Sequence, residues 1–573
     1  MNKISVQRYY FFMDYHSLFC ISLVFFRNFA HKLANLLRLG KKKELILLFC
    51  SRLFVSLHPK NRNKMKRLGI FALIGIAWAI EAQAQLEIRT EAQLTATDGD
   101  HTPLWLNANK YGLSSLDNVN GYVRAGIFRD YRQDSCRQWK LGYGADLALA
   151  GGFTSTLVVQ QAYGEVGWLK GLLTIGSKEH PMELKNQELS TGSQTLGINA
   201  RPVPAIRLSL PDYWTVPGTK GWLGLKGHIS YGMTTDDGWQ RDFTRKQSKY
   251  AENTLLHTKA GYLKIGPDGK PISLELGLEM ACQFGGTSYT YTGEKIENTG
   301  GLKGALRAFI PGGNDVTDED YKNADGNHLG SVTGRLNFDY PSWGLALWFD
   351  HFFEDHSQMV FLDRNDYGTG DDWDKHVGTS FFVYDLRDAL LGVELRLKKN
   401  LWLGCIVAEY IYTKYQSGPV YHDHTKTLSD KVAGVDKYYN HHIFPGWQHW
   451  GQVMGNPLYR SPLYNDDGLV MVEDNRFQAW HLAASGDPLP RLHYRLMCTW
   501  QRGFGTYDKP LPDPQRNLSL LAEAAYRFAD DSWLGGWSLK GAIGMDKGGL
   551  LGDNVGVQLT VAKRIVTKKG KQR

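Results

Sequence analysis

Residues 438–465, YYNHHIFPGWQHWGQVMGNPLYRSPLYN, combine the two kinds of side chain that recognise sugars. Aromatic rings stack on the flat C–H faces of a sugar ring, while Asn, Asp, Arg and His bond its rim of hydroxyls. Tyr438, Tyr439, Trp447 and Trp450 supply the first kind, and Asn440, His442, His449 and Arg460 the second. These eight are the candidate glycan-binding residues. Gly and Pro interrupt the stretch repeatedly, so no long helix or strand runs through it. It reads as a large loop whose rings either meet a ligand or fold inward as a local core, or divide between the two.

Other chemistry has less support. His422, His424, His441, His442 and His449 fall within 28 residues, and imidazole binds Zn or Cu well. Yet no HExxH and no nearby Cys accompanies them, so no metal and no cofactor is expected. The stretch DRNDYGTGDDWDKH (363–376) is rich in oxygen ligands but lacks a closing glutamate, and reads as a solvated acidic loop. No GxSxG, P-loop or GxGxxG occurs. Glu275, Glu279, Glu394 and Glu523 could pair for acid–base work on a glycan, but lumen-lining charge explains them with no further assumption. His351 stands alone. The chain is not expected to be an enzyme.

The elements that must carry the loop are read from alternation. The 573 residues are 12% aromatic, with 62 Gly and a mean hydropathy of -0.36. From Met65 the chain reads MKRLGIFALIGIAWAIEAQAQ, with a basic start, an apolar run and a small-residue cleavage site at Ala84 and Gln85. Residues 65–84 are therefore expected to be a signal peptide, residues 1–64 an upstream over-extension, and Gln85 the first mature residue. Without the 14 Lys and Arg and the 3 Asp and Glu of residues 1–84, the formal charge of +8 becomes 52 basic against 55 acidic residues. A nucleic-acid partner is not expected. Cys136, Cys282, Cys405 and Cys498 lie far apart, on or beside candidate strands; spacing alone assigns no disulfide, and small core- or lipid-facing side chains are the simpler reading.

Beyond residue 85 period-two alternation dominates. In SLELGLEMACQF (273–284), Leu274, Leu276, Leu278, Met280, Cys282 and Phe284 share one face, opposite Glu275 and Glu279. Many such segments have the length of a tilted membrane-spanning strand, longer than the usual soluble strand. Eighteen are predicted, at about 86–97, 120–131, 138–151, 156–168, 171–178, 204–210, 222–233, 254–265, 272–284, 330–340, 343–353, 388–398, 401–414, 475–486, 491–504, 516–528, 535–546 and 555–565. Tight turns such as GPDGKP, PS, KN and GDPL alternate with long loops at 285–329, 354–387 and 415–474. That parity predicts an all-β fold: a transmembrane antiparallel β-barrel over 85–565, its long extracellular loops partly plugging the lumen, with a basic tail at 566–573. The last strand does not close on an aromatic residue, as bacterial barrels often do.

The stretches LGINARPVPAIRLSLPDYW (196–214) and YYNHHIFPGWQHWGQVMGNPL (438–458) make the chain resemble the Wzi family of capsule assembly proteins, in the form found in Bacteroides-type bacteria. The resemblance covers nearly all of 85–565 and implies a monomeric 18-stranded outer-membrane barrel in contact with lipid. It implies lectin-like extracellular loops that hold capsular polysaccharide at the cell surface. It further implies a small helical element on the periplasmic side, for which 179–200 is the obvious irregular segment, although strand parity puts that segment outside. A porin-like channel for small solutes or oligosaccharides is the alternative.

Overall fold

The computed structural model describes residues 85–134, 137–310, 326–354, 362–367, 370–381, 387–421, 426 and 432–567. The expectations for residues 1–84, Cys136, His422 and His424 lie outside this set, as do parts of 363–376. The described residues belong to one compact unit.

Alternating apolar and polar residues become eighteen long strands. They are β1 Glu87–Asp98, β2 Val119–Arg129, β3 Trp139–Gly151, β4 Leu157–Trp168, β5 Gly171–Ser177 and β6 Ala205–Thr215. Next come β7 Leu223–Met233, β8 Leu255–Ile265, β9 Ile272–Phe284, β10 Asn327–Asp339, β11 Trp343–Glu354 and β12 Ala389–Leu397. The last six are β13 Cys405–Tyr412, β14 Phe477–Leu489, β15 Leu492–Gly505, β16 Pro510–Arg527, β17 Trp537–Gly548 and β18 Asn554–Val566. Each pairs antiparallel with its neighbour in sequence, and β18 closes on β1 from Glu87↔Val566 to Asp98↔Val555. A closed ring leaves no unpaired edge, which is the condition for a sheet to sit in hydrocarbon.

The two faces of the ring differ as a membrane requires. On β18, Val555, Val557 and Leu559 are each more than half exposed on the outer wall, whereas Gln558 and Thr560 are buried inside. On β3, Leu147 and Leu149 face out and Ala148 and Ala150 face in. Trp168, Trp214, Trp222, Trp343, Trp402 and Tyr526 ring the end that carries the short turns. Tyr410 and Trp480, with ring centroids 4.4 Å apart, lie near the other rim. An apolar belt between aromatic girdles makes this a membrane-spanning barrel of the outer-membrane kind.

Among the strand ends that depart from expectation, three lie at proline. Strand β6 runs on to Thr215 past Pro211, with a register shift between Leu210 and Trp214. The GDPL stretch belongs to β14 rather than to a turn, with a shift between Gly486 and Leu489. Strand β16 begins at Pro510, six residues before the expected start, and its PLPDPQ extension is largely exposed. Proline cannot donate to a ladder, so the sequence alone stops each strand there; an irregular register lets the pairing resume beyond.

Connections at the short-turn end run from two residues (169–170) to nine (130–138), and the loops at the opposite end reach 64 (413–476). One long loop, 285–326, carries helix α1 (Gly301–Phe309) back onto the outer wall. Its Gly304 and Ala308 are buried there, Ala308 packing against Cys282 and Phe284 of β9, and Tyr231 donates to Ala305 O at 3.0 Å. Met280, Cys282 and Phe284 therefore continue the outward face of β9, as alternation predicts, but are buried beneath protein rather than exposed. Cys282, Cys405 and Cys498 form no disulfide with one another.

Candidate functional site

Three loops from the long-loop end fold into the barrel and fill it. Residues 99–118 enter with a single helical turn, Leu104–Asn107, pinned to the wall by Leu104 N–H on Asp546 Oδ2 (2.9 Å) and Trp105 Nε1–H on Thr499 Oγ1 (3.0 Å). Residues 178–204 descend furthest. Asn186 reaches Glu394 Oε2 (3.2 Å), and Arg495 donates to Glu188 O (2.9 Å), both near the short-turn ends of their strands. This settles the position of 179–200: the segment leaves from the long-loop end, as strand parity requires, yet dips through the lumen toward the other end. It forms no helix there.

The aromatic loop lies above and against it. Tyr438, Tyr439, Phe444, Trp447 and Tyr459 are at most 1% exposed. Tyr439 stacks on Tyr459 with centroids 4.0 Å apart, Tyr459 meets Phe477 of β14 edge-on, and Phe352 of β11 meets Tyr438 edge-on at 4.7 Å. Their polar tips are tied across the plug: Tyr438 Oη to Asp388, Tyr439 Oη to Gln194 O, and Trp447 Nε1–H to Thr195 O at 3.0 Å. At Gly455 the loops meet backbone to backbone, because an added Cβ would lie 2.0 Å from Tyr439 Oη and 2.3 Å from Gln194 O. A hydrophobic core thus occupies the lumen, joining plug residues such as Leu189, Trp447 and Leu458 to wall residues such as Leu329, Phe352 and Met497.

This burial divides the eight candidates. Tyr438, Tyr439, Trp447 and His449 present no free face and pack in the plug core. His449 is held at both nitrogens, Nδ1 by Arg201 O (2.8 Å) and Nε2 by the Thr235 N–H and hydroxyl (3.1 Å each). Asn440 reaches the surface, but its amide is spent on Val472, accepting from N–H and donating to O at 2.8 Å each. His442 is exposed beside His441 (centroids 4.3 Å). Arg460 is partly buried and bonds Tyr464 O (2.6 Å), with Glu473 at 3.6 Å. Trp450 is partly exposed, its indole facing the Arg201 guanidinium at 4.5 Å. These three reach the surface among different neighbours and do not form one cluster.

The neighbours of Trp450 include residues that the loop motif does not contain. The short helix Asp237–Phe243 carries Trp239 and Phe243 one turn apart, stacked at 4.9 Å. Trp239 packs beside Gly451, and Asp236 at the helix start accepts from Trp450 N–H (3.0 Å) and the Gln448 amide (3.1 Å). Trp450, Trp239 and Phe243 are therefore partly exposed aromatic side chains grouped at the long-loop end, with the buried Arg201 behind Trp450. The WxxxF spacing of 239–243 is the sequence signal that could have found this group.

Burial also sets the charge state of the loop. His441 is pushed well below the usual imidazole value and His449 below it, in both cases mainly by desolvation. A histidine that is neutral when folded but protonates near 6.5 when unfolded contributes stability that is fully present above that pH and lost as pH falls below it. Asp474, beside Gly505, is raised to about 7 by burial and acts in the opposite sense: its folded state loses stability as pH rises from the ordinary carboxylate range toward 7. Amide protection factors around His441–Trp450 should accordingly fall between pH 7 and 5, while the same acidification should stabilise the fold around Asp474. A uniform change in both regions would contradict this assignment.

The carboxylates weighed for catalysis are committed elsewhere. Glu275 accepts from Tyr213 (2.9 Å) and Glu279 from Tyr262 (2.8 Å), Glu394 pairs with Arg335 and Arg396, and Glu523 with Arg495 and Lys540. His351 Nδ1 lies 2.6 Å from Asp388 O. Among the described residues no group of three His, Cys, Asp or Glu is arranged to hold a metal. Below the plug the lumen opens at the short-turn end as a charged vestibule of about 1310 Å³, lined by Arg89, Glu91, Lys110, Arg124, Glu188 and Arg495 among others.

No protein-family model matches the chain, and no curated protein matches it. Among solved structures it is similar to Wzi of Escherichia coli, an outer-membrane protein described as involved in group 1 capsule assembly and as a carbohydrate-binding β-barrel. Identity is 13% and the TM-score 0.49, over 86% of this chain and 87% of that one. It is also similar to OccAB4 of Acinetobacter baumannii (9% identity, TM-score 0.40, 85% and 99% covered) and OprD of Pseudomonas aeruginosa (9%, 0.41, 85% and 96%). The barrel assignment rests on the strand pairing and the two-faced wall described above.

Proposed function

We propose that the protein is a closed outer-membrane barrel whose extracellular face binds capsular polysaccharide and helps hold it at the cell surface, without catalysis. The observation that carries this reading is the partly exposed aromatic group of Trp450, Trp239 and Phe243, backed by the buried Arg201, on a plug whose own aromatic core is sealed. A filled lumen suits a surface scaffold, and a partly exposed indole suits stacking on the face of a sugar ring. The capsular identity of the glycan comes from the family that the two loop motifs resemble.

The test is the split of capsular polysaccharide between cells and medium. Loss of the protein should move polysaccharide into the medium at unchanged total output; an unchanged split removes the attachment role. Trp450→Ala should leave barrel assembly intact and weaken retention several-fold, on the scale of about 1 kcal/mol for one aromatic contact. A second reading, a channel for small solutes, draws on the vestibule of about 1310 Å³. Planar-bilayer conductance of the intact protein separates the two.

A further inference from the structure

A second, smaller cavity of about 150 Å³ lies inside the barrel, between the wall strands β5–β9 and the descending loop 178–204. Its wall is built by register. Thr174 of β5 pairs with Arg207 of β6, Arg207 with Ser230 of β7, and Ser230 with Thr258 of β8, so these inward side chains form one lateral row. His228 lies two residues along β7 on the same face, its Nε2 3.2 Å from Thr258 Oγ1, and Ser230 and Thr258 share a 2.6 Å hydroxyl bond. His180 of the plug loop lines the opposite side.

The charge of this chamber does not balance. Lys178 is paired with Glu165 at 2.5 Å. Of the carboxylates lining the cavity, Glu183 is engaged by Lys226, and Glu279 by the Tyr262 hydroxyl and the Leu196 N–H. Arg207 has no hydrogen-bond or ion-pair partner among the described residues. A guanidinium enclosed in a protein without a directly bonded counter-charge is costly, and its planar fork of donors matches a carboxylate or phosphate in two parallel bonds. A cavity of this size also admits a body as large as a six-membered ring. We infer that Arg207, with Ser230, Thr258, His228 and His180 around it, binds a small oxyanion, a carboxylate or phosphate group, within the barrel. Tyr111 lines both this chamber and the short-turn vestibule, which is therefore the adjoining space from which such a ligand would enter. The inference is independent of polysaccharide binding at the outer face.

The test is calorimetric titration of the detergent-purified, full-length mature barrel with inorganic phosphate, with D-glucuronate, and with D-glucose as the neutral control. Saturable one-to-one binding of phosphate or glucuronate but not glucose is expected, at least tenfold weaker in Arg207→Gln. Binding of phosphate alone identifies a phosphoryl ligand, and binding of glucuronate identifies an acidic sugar. Heat-modifiable migration checks that Arg207→Gln assembles. If it does not, Ser230→Ala, which keeps the charge and removes one hydroxyl, must still weaken the same binding. No saturable binding of either anion to the natural protein, or equal affinity in the assembled variants, overturns the inference.

Discussion

Asp350→Ala should leave the barrel wall closed but unseat the descending loop, at a cost of about 3–5 kcal/mol. Asp350 of β11 accepts the Lys185 ammonium at 2.6 Å, and the two side chains are 0% and 1% exposed. The same carboxylate receives the Gln194 N–H at 3.0 Å, so both limbs of the 178–204 loop hang from it. Removing it strands a buried ammonium inside the lumen. The consequences to measure are a lower thermal midpoint of the plug and new protease cleavage between residues 183 and 197 in a barrel that still migrates as folded. Replacing both partners with apolar residues of similar volume, Lys185→Met with Asp350→Leu, should recover most of the loss, because no uncompensated charge then remains. Equal damage from the single and double replacements would show that the loop is held elsewhere, for example by Ser190 and Thr191 on Glu409.

Tyr459→Ala is the second large effect, again about 3–5 kcal/mol, with opening of the lumen as its visible consequence. Its ring is fully buried between Tyr439 and Phe477 and touches the side of Phe352. Truncation leaves a cavity at the joint between the aromatic loop and the wall, and ion conductance through the barrel should rise above that of the natural protein. Tyr459→Phe is the informative partner. The Tyr459 hydroxyl is buried and bonds no group among the described residues, so removing it should be neutral or mildly stabilising, with conductance unchanged. If Tyr459→Phe is as damaging as Tyr459→Ala, the hydroxyl rather than the ring is what the plug depends on.

The barrel was legible in the chain because the lipid solvent is uniform. Every spanning strand must place apolar side chains outward at every second position, whichever strand lies beside it, and so Leu147, Leu149, Val555 and Val557 announce their face locally. All eighteen strands could be read this way, and so could the alternation of short turns with long loops. The misjudged ends at Pro211, Pro488 and Pro510 are places where a local rule about proline is overridden by pairing with a neighbour. The division of the plug was not legible, because burial there depends on partners distant in sequence. Trp447 and Trp450 are three residues apart and alike in type. One is sealed by a carbonyl at Thr195, 252 positions away, while the other emerges over Arg201 beside the Trp239–Phe243 pair. The composition of residues 438–465 by itself determined that the loop would be aromatic, broken and large. Which rings became core and which reached the surface was decided only when 178–204 descended into the lumen and took the carboxylates of Asp350 and Glu409, since a ring is buried by what packs on it and not by its own type.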